Sequence, residues 1–400
     1  VALAKAVGYD SAGTVEFVAS QDADFYFLEM NTRLQVEHPV TELITGVDLV
    51  EEMIRVAAGE RLRLSQSDVT IKGWAVESRL YAEDPDRNFL PSIGRLKRLR
   101  MPTEYASDTT VRVDTGVVEG SEISRYYDPM IAKVVTHGST REAAIDTMAG
   151  ALDHVAIEGI RHNGPFLSAI MAHPRWREGA LSTGFIAEEF PSGGGAALTD
   201  EARHLFAAIA FAVEAEEALR RRHFGPHPSP VPGPLSALFD DEGRVDGSVD
   251  AGESGAVVTI DDTPMEVRGT RTDPLIWQGL VDEVPVVVGL TRGPDGIALS
   301  RHGMRATVKV TRPRVADLSA HMPKNAAADA LKTILCPMPG LVVSLNVKEG
   351  DAVEDGQALA VIEAMKMENV IRAERAGTVK SVNVSEGDSL AVDAVILEFE

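Results

Sequence analysis

Cysteine is nearly absent: Cys336 stands alone in 400 residues, which excludes an internal disulfide and any cysteine-built metal cluster and fits a reducing compartment. Basic residues are also scarce, 39 against 61 acidic ones, for a net charge of −22. Without clustered Lys and Arg there is nothing to meet a phosphate backbone or an anionic lipid surface, so neither nucleic acid nor membrane is an expected partner. The acidity reads as a solvated surface. No apolar run approaches the ~18 residues that cross a bilayer, and no charged-then-apolar leader opens the chain. The expected location is the cytoplasm. What is abundant is ordinary for a globular protein: 44% hydrophobic and 25% charged residues, enough to bury cores and remain dispersed. The length suggests about three domains of usual size. The first residue is Val1, and the apolar run to Val7 carries no cap, as expected of a cut inside a domain.

Two apolar runs, Thr14 to Ala19 and Phe25 to Met30, flank the polar turn Ser20-Gln21-Asp22-Ala23-Asp24 and predict a hairpin. After Pro39, the spacing of Leu43, Val47, Val50, Met53, Ile54 and Ala57 predicts a helix that Gly59 ends. Ser139 and Glu142 form a capping box ahead of a second helix carrying Ile145, Met148, Ala149 and Leu152. The run Pro-Ser-Gly-Gly-Gly-Ala-Ala-Leu-Thr at 191–199 reads as a linker; a phosphate loop would need a Gly-Lys-Ser/Thr that does not follow. A long helix is expected from about Asp200 to Arg222, with Leu205, Ile209, Ala212 and Val213 on one face. Short β-rich runs from Ala256 to Val310 predict an antiparallel sheet or small barrel. A second linker follows at about 319–332.

The final 61 residues contain a duplication. Gly340 to Glu363 superposes on Gly377 to Glu400 at an offset of 37, matching Val342 to Val379, Asn346 to Asn383 and the turn Glu349-Gly350-Asp351 to Glu386-Gly387-Asp388. Two similar strand sets packed into one flattened barrel are expected. Lys366 lies between the repeats, in Glu363-Ala364-Met365-Lys366-Met367-Glu368-Asn369, where a connecting hairpin would hold its flexible stem and amine out from either core. A lone lysine is ordinarily just a solvated surface residue, but the two flanking methionines are unusual on a solvated turn.

Near the start, in Phe27-Leu28-Glu29-Met30-Asn31-Thr32-Arg33-Leu34-Gln35-Val36-Glu37-His38, every odd residue from 29 to 37 is polar. In extended chain these side chains share one face. The alternatives are a half-exposed edge strand without chemistry, or a helix pairing Glu29, Arg33 and Glu37. Aromatics before the segment and Pro39 after it argue against the helix.

Ala364-Met365-Lys366-Met367 resembles the attachment signature of biotin carboxyl carrier domains, whose central lysine is biotinylated, and Pro337-Met338-Pro339-Gly340 matches the same family. Lipoyl domains share the duplicated barrel but lack the Met-Lys-Met triplet. The stretch around Glu29 to Glu37 resembles the catalytic segment of biotin carboxylases, which are ATP-grasp enzymes. That resemblance implies that Glu16, Glu29 and Asn31 hold Mg²⁺ (or Mn²⁺) with the phosphates of ATP, oxygen ligands suiting a hard cation. It implies that Arg33, Gln35 and the backbone of Val36 bind bicarbonate, and that Glu37 is the base that deprotonates it. Arg79, in Glu77-Ser78-Arg79-Leu80-Tyr81-Ala82-Glu83-Asp84-Pro85, matches the arginine that stabilises the biotin enolate. Asp128, in Tyr126-Tyr127-Asp128-Pro129-Met130, is the expected orienter of Arg79, although such an aspartate is more often a turn residue.

As a whole the sequence resembles the C-terminal part of biotin-dependent acyl-CoA carboxylase alpha subunits, most like the bacterial propionyl-CoA carboxylase type. The implied architecture is multidomain α+β. The end of an ATP-grasp domain is expected at 1–75 and a biotin carboxylase C-terminal domain at 76–190. A long helix plus antiparallel β-barrel for docking follows at 195–318, a linker at 319–332, and a biotinyl carrier at 333–400. The implied reaction uses ATP and bicarbonate to carboxylate biotin on Lys366, and a carboxyltransferase beta subunit then transfers the carboxyl group to an acyl-CoA. Biotin protein ligase is the second implied partner, and a hetero-oligomer is expected. The family's N-terminal half and nucleotide lid have no counterpart in the sequence, so the chain by itself is expected not to turn over ATP with biotin. The competing readings are a carrier and docking fragment without catalysis, and a carboxylase for acetyl-CoA or methylcrotonyl-CoA.

Overall fold

The computed structural model describes residues 1–400 except 21, 23, 88, 125, 192, 225–232, 242, 253–254, 320, 323–332, 355, 365–366, 374–375 and 400; at 222–224, 271–272 and 367 it describes the backbone alone. Two compact units emerge from the chain's internal contacts. The first comprises Val1–Arg79, Thr103–Asp114 and Lys133–Ala151, the second Leu80–Pro102, Thr115–Ala132 and Leu152–Glu400.

In the first unit the expected hairpin is present. Thr14–Ala19 pairs antiparallel with Phe25–Asn31, placing Glu16 opposite Glu29, and the register shifts by a bulge between Glu16 and Phe17. The alternation expected through Glu37 stops at Asn31, because the strand ends there and Glu37 is already the N-cap of the helix His38–Thr45. Pro39 in that helix's first turn, where it has no hydrogen bond to lose, fixes the change of direction. The single helix expected beyond Pro39 is two helices. Gly46 closes the first in the left-handed conformation, at φ 72°, which glycine adopts without a Cβ clash. Asp48 then caps Leu49–Ala57 by accepting the Glu51 N–H at 2.8 Å.

A four-stranded sheet runs in the order Trp74–Tyr81, Met130–Gly138, Thr110–Thr115, Tyr105–Ala106. The helix Arg141–Asp153 follows, with Ala144, Ile145 and Met148 essentially inaccessible. Its cap is Thr140, whose hydroxyl accepts the Ala143 N–H, one residue later than the capping box predicts.

In the second unit eight antiparallel strands close a barrel from Pro234–Phe239 to Met304–Thr311, beginning some twenty residues before the sequence pattern shows it. The long helix is Asp200–Phe224, and it is not amphipathic in the expected sense. Phe206 to Phe211 are all at 0% exposure and cluster with inward side chains from all eight strands, Trp277 among them. A helix buried all round needs apolar residues all round, and the Phe-Ala-Ala-Ile-Ala-Phe sequence supplies them with small residues where strands come close. Burial of each large side chain in this core contributes roughly 1.5–3 kcal/mol.

The C-terminal residues fold into two four-stranded sheets that repeat the duplication strand for strand. Gly340–Leu345, Ala352–Val353 and Ala358–Ala364 recur as Gly377–Val382, Ser389–Leu390 and Val395–Phe399. Equivalent turns carry equivalent bonds: the Lys348 N–H donates to Asp351 at 2.7 Å and the Ser385 N–H to Asp388 at 2.8 Å. The repeats exchange contacts reciprocally, the Gly350 N–H donating to the Val379 carbonyl and the Gly387 N–H to that of Val342, both at 2.8 Å.

Candidate active site

Within the first unit the expected site residues form two groups, Glu16, Glu29 and Asn31 on the hairpin, and Glu37 with Arg79. Because Glu16 and Glu29 are cross-strand neighbours, their carboxylates need a donor between them, and Asn31 provides it. Its Nδ2 donates to Glu16 Oε1 at 2.8 Å and to Glu29 Oε1 at 3.1 Å. Two anionic groups and one amide oxygen are an oxygen-rich set that suits a hard cation sharing its remaining positions with phosphate and water. Among the described residues there is no cluster of three or more His, Cys, Asp and Glu side chains placed to hold a metal by themselves.

Beyond Asn31 the chain is irregular and held by small bonds. The Arg33 guanidinium is exposed and donates to the Leu34 carbonyl at 3.3 Å, Gln35 Nε2 donates to Thr14 Oγ1 at 3.0 Å, and the Gln35 carbonyl meets His38 Nδ1 at 2.8 Å. Glu37, exposed at the helix start, accepts from Arg79 Nη2 at 2.8 Å.

Arg79 sits on the strand Trp74–Tyr81, and its Nε donates to Glu77 at 2.8 Å. The two carboxylates are unequal: the Glu77 side chain is 7% exposed and that of Glu37 56%. An exposed pair contributes at most about 1 kcal/mol, whereas a buried charge stripped of its partner costs about 3–5 kcal/mol. Glu77 is thus the anchor of Arg79, and Glu37 its exchangeable partner.

A second ionic chain ends on the same segment. Lys133 Nζ donates to the Val36 carbonyl at 3.0 Å and lies 3.2 Å from Asp114; Asp114 accepts from Arg112 at 2.8 and 3.0 Å, and Arg112 reaches Glu42 at 2.7 Å. Burial raises the Asp114 carboxyl, but the bonds from Arg112 and Lys133 outweigh it and hold the group below its ordinary range.

Sequence reading missed Glu77, Lys133, Asp114 and Arg112. Glu77 had a signal, since it lies two residues from Arg79 on the same face of a strand. Lys133 had another, a lone cation in the apolar run Met130-Ile131-Ala132-Lys133-Val134-Val135. Asp114 and Arg112 had none.

Asp128 belongs to the second unit. Its Oδ1 accepts the Met130 N–H at 2.9 Å, the bond of a turn aspartate. Burial first, and then the Asp128 charge, push the nearby Glu83 carboxyl up.

In the carrier, Ala358–Ala364 pairs with Met367–Arg372 and the register closes on Ala364 opposite Met367. Met365 and Lys366 join those two strands and lie outside the described residues. The flanks are firmly placed, with Ile362 at 0% and Ala364 at 6% exposure.

Four family models match the chain: Carbamoyl-phosphate synthase L chain, ATP binding domain, at 1–65; Biotin carboxylase C-terminal domain at 77–188; Propionyl-coenzyme A carboxylase BT domain at 206–325; and Biotin-requiring enzyme at 332–399. In that order the matched models follow the domain sequence of biotin-dependent carboxylases. More particularly, over its full length the chain is a homologue of propionyl-CoA carboxylase alpha chains. It is 48% identical over 433 residues to that of Ruegeria pomeroyi, covering 100% of this chain and 62% of the relative. It is 43% identical over 411 residues to the mitochondrial human protein, covering 100% and 56%. The methylcrotonoyl-CoA carboxylase subunit alpha of Mus musculus is 35% identical over 426 residues, at 100% and 57% coverage. The chain thus spans little more than half the length of these curated relatives. Among solved structures, the biotin carboxylase domain of the Hydrogenobacter thermophilus 2-oxoglutarate carboxylase aligns at 45% identity and TM-score 0.45, over 47% of this chain and 41% of that one.

Proposed function

We propose that this chain is the biotin-bearing, biotin-carboxylating component of an acyl-CoA carboxylase, with propionyl-CoA the acyl substrate. Biotin is joined through an amide bond to Lys366 by biotin protein ligase, and a carboxyltransferase beta subunit, docked through the helix-filled barrel, takes the carboxyl group to the acyl-CoA. The observation that carries this reading is the Glu77–Arg79–Glu37 arrangement, present with the Glu16–Asn31–Glu29 cluster in one chain with the duplicated carrier. The match of 206–325 to the BT domain family supports the docking role.

The groups the chain would hold are ATP with Mg²⁺, bicarbonate and biotin. ATP supplies the activation of bicarbonate. Glu16, Glu29 and Asn31 would hold the cation by their oxygens, and Arg33 with Gln35 and the Val36 N–H would grip the planar oxyanion. Glu37 takes the bicarbonate proton at a carboxylate oxygen. Arg79 can leave Glu37 without losing its place, because Glu77 keeps hold of Nε, and so offers its fork to negative charge developing on the ureido oxygen of biotin. Asp128 is proposed as a further orienter of Arg79. The single buried thiol, Cys336, is in keeping with a reducing compartment such as the cytoplasm.

The test uses the native complex captured through its biotin. Bicarbonate-dependent ADP formation is followed with propionyl-, acetyl- and methylcrotonyl-CoA, in wild type and in Glu37→Gln and Arg79→Met. The reading expects propionyl-CoA to be preferred and each variant to lose about 10²–10⁴-fold in turnover, the usual weight of a general base or charge stabiliser, with biotin content unchanged. Variants that turn over at the wild-type rate would refute it.

A further inference from the structure

The second unit contains a cavity that the reaction above does not use. Its volume is about 830 Å³, within the range of small-molecule sites. It is walled by the barrel strands around Ser300 and Arg301, by the start of the helix Gly164–Ala172 with the preceding His162, and by the glycine run at 193–195. None of the residues expected to bind ATP, bicarbonate or biotin lines it.

Its polar groups divide unevenly. The carboxylates on the wall are engaged by the protein itself. Asp86 accepts from Arg305 at 2.9 and 3.0 Å, Asp153 accepts the His302 N–H at 3.0 Å and lies 3.1 Å from its Nε2, and Asp240 accepts the Thr307 N–H at 3.1 Å. Four other donors on the wall are not engaged. Arg301 has neither an ion pair nor a side-chain hydrogen bond with any described residue, and its Nε is buried. The His162 ring accepts the Gly164 N–H on Nδ1 at 3.2 Å, so its proton is on Nε2, which has no partner among the described residues. Burial, and then the charges of Arg305 and Arg161, push that ring's pKa down to about 4, which keeps it neutral and marks the local field as positive. The amides of Gly194 and Gly195 also donate to no described residue. Glycine is required at 194, since a Cβ there would lie 2.5 Å from Pro85 and 2.8 Å from Phe166.

A cation and successive backbone N–H groups left without acceptors form a concavity for anions, and an unpaired guanidinium in a walled space is costly unless something compensates it. Apolar side chains on the same wall include Leu152, Ile157, Leu275 and Leu290. We propose that this cavity binds a small organic anion, its phosphate or carboxylate head on Arg301, His162 Nε2–H and the Gly194 and Gly195 amides, its apolar body against the barrel wall. The run read as a linker thus serves a binding role as well, and the cation that a phosphate loop draws from its own lysine comes here from a barrel strand.

Calorimetric titration of the full chain with phenyl phosphate, benzoate and benzyl alcohol tests this, since the three share a ring and differ in the head. At least one anion is expected to bind one-to-one and the alcohol not to bind; which anion binds assigns the head. Arg301→Gln should weaken binding at least tenfold. Ala298→Trp, which fills the cavity from an exposed position on its wall, should abolish it with the unliganded melting temperature unchanged. Arg33→Ala, which disables the proposed bicarbonate site, should leave it intact, so that the two readings fail separately. Absence of binding by both anions, equal binding of the alcohol, or binding that survives Ala298→Trp would overturn the proposal.

Discussion

Replacing Lys133 with Met tests whether the segment from Arg33 to Glu37 is held in place from behind. The amine makes two contacts, 3.0 Å to the Val36 carbonyl and 3.2 Å to Asp114, with side-chain exposures of 12% and 27% for the ion pair. A charge-assisted hydrogen bond contributes about 1.5–3 kcal/mol net. The full cost of stripping a buried charge does not apply, because Asp114 retains both bonds from Arg112 and the half-buried Val36 carbonyl can recover a water. The expected loss is therefore about 2 kcal/mol, confined to this segment. Hydrogen exchange reads such local opening directly. The amides of His38 and Val40, which donate to the Gln35 and Glu37 carbonyls at 3.3 and 3.1 Å, should exchange about 30-fold faster, at tenfold per 1.4 kcal/mol. Amides of the barrel should keep their rates. The Asp114 carboxyl should titrate higher than in wild type, having lost one of the bonds that depress it. Exchange at His38 and Val40 within about threefold of wild type would show that the lysine does not pin the segment.

Arg79→Ala strands the Glu77 carboxylate, whose second oxygen is already buried without a partner among the described residues; a loss of about 3 kcal/mol is expected, and Glu77→Gln in the same chain should recover part of it in thermal denaturation. His162, with its folded pKa near 4 against about 6.5 unfolded, binds fewer protons folded than unfolded between those values. Its contribution is therefore complete above pH ~6.5 and lost as pH falls towards 4; proton NMR should find its midpoint near 4, and His162→Gln should flatten the stability curve across that window. Asp351→Ala and Asp388→Ala remove equivalent turn bonds of 2.7 and 2.8 Å, and each should cost the carrier about 1 kcal/mol in urea denaturation; a large inequality would contradict the equivalence of the two repeats.

Legibility followed how local the cause was. The carrier's duplication is visible as identities at an offset of 37, and the structure repeats its strands and turn bonds at that spacing, because Glu-Gly-Asp turns and Val-rich strands are determined by neighbours in sequence. The hairpin ending at Asn31 was legible for the same reason. The alternation read through Glu37 failed where one residue, the N-cap Glu37, had already committed the chain to a helix. Gly46 likewise divided an apolar period that looked continuous. The all-round burial of Phe206 to Phe211 was hidden because a one-faced pattern was sought where a closed barrel surrounds that part of the helix. Lys133, Asp114 and Arg112 come together only through strand pairing and a helix contact, which no spacing records. Glu77 could have been found from its two-residue step to Arg79.

The proposed chemistry depends on the cofactor being carried by Lys366, between the paired strands Ala358–Ala364 and Met367–Arg372. Its most direct test is intact-mass measurement with peptide mapping of the full chain after coexpression with a biotin protein ligase. One biotinyl group is predicted, on Lys366, and none on the same chain bearing Lys366→Arg. An unmodified chain, or the group found on another lysine, would contradict it.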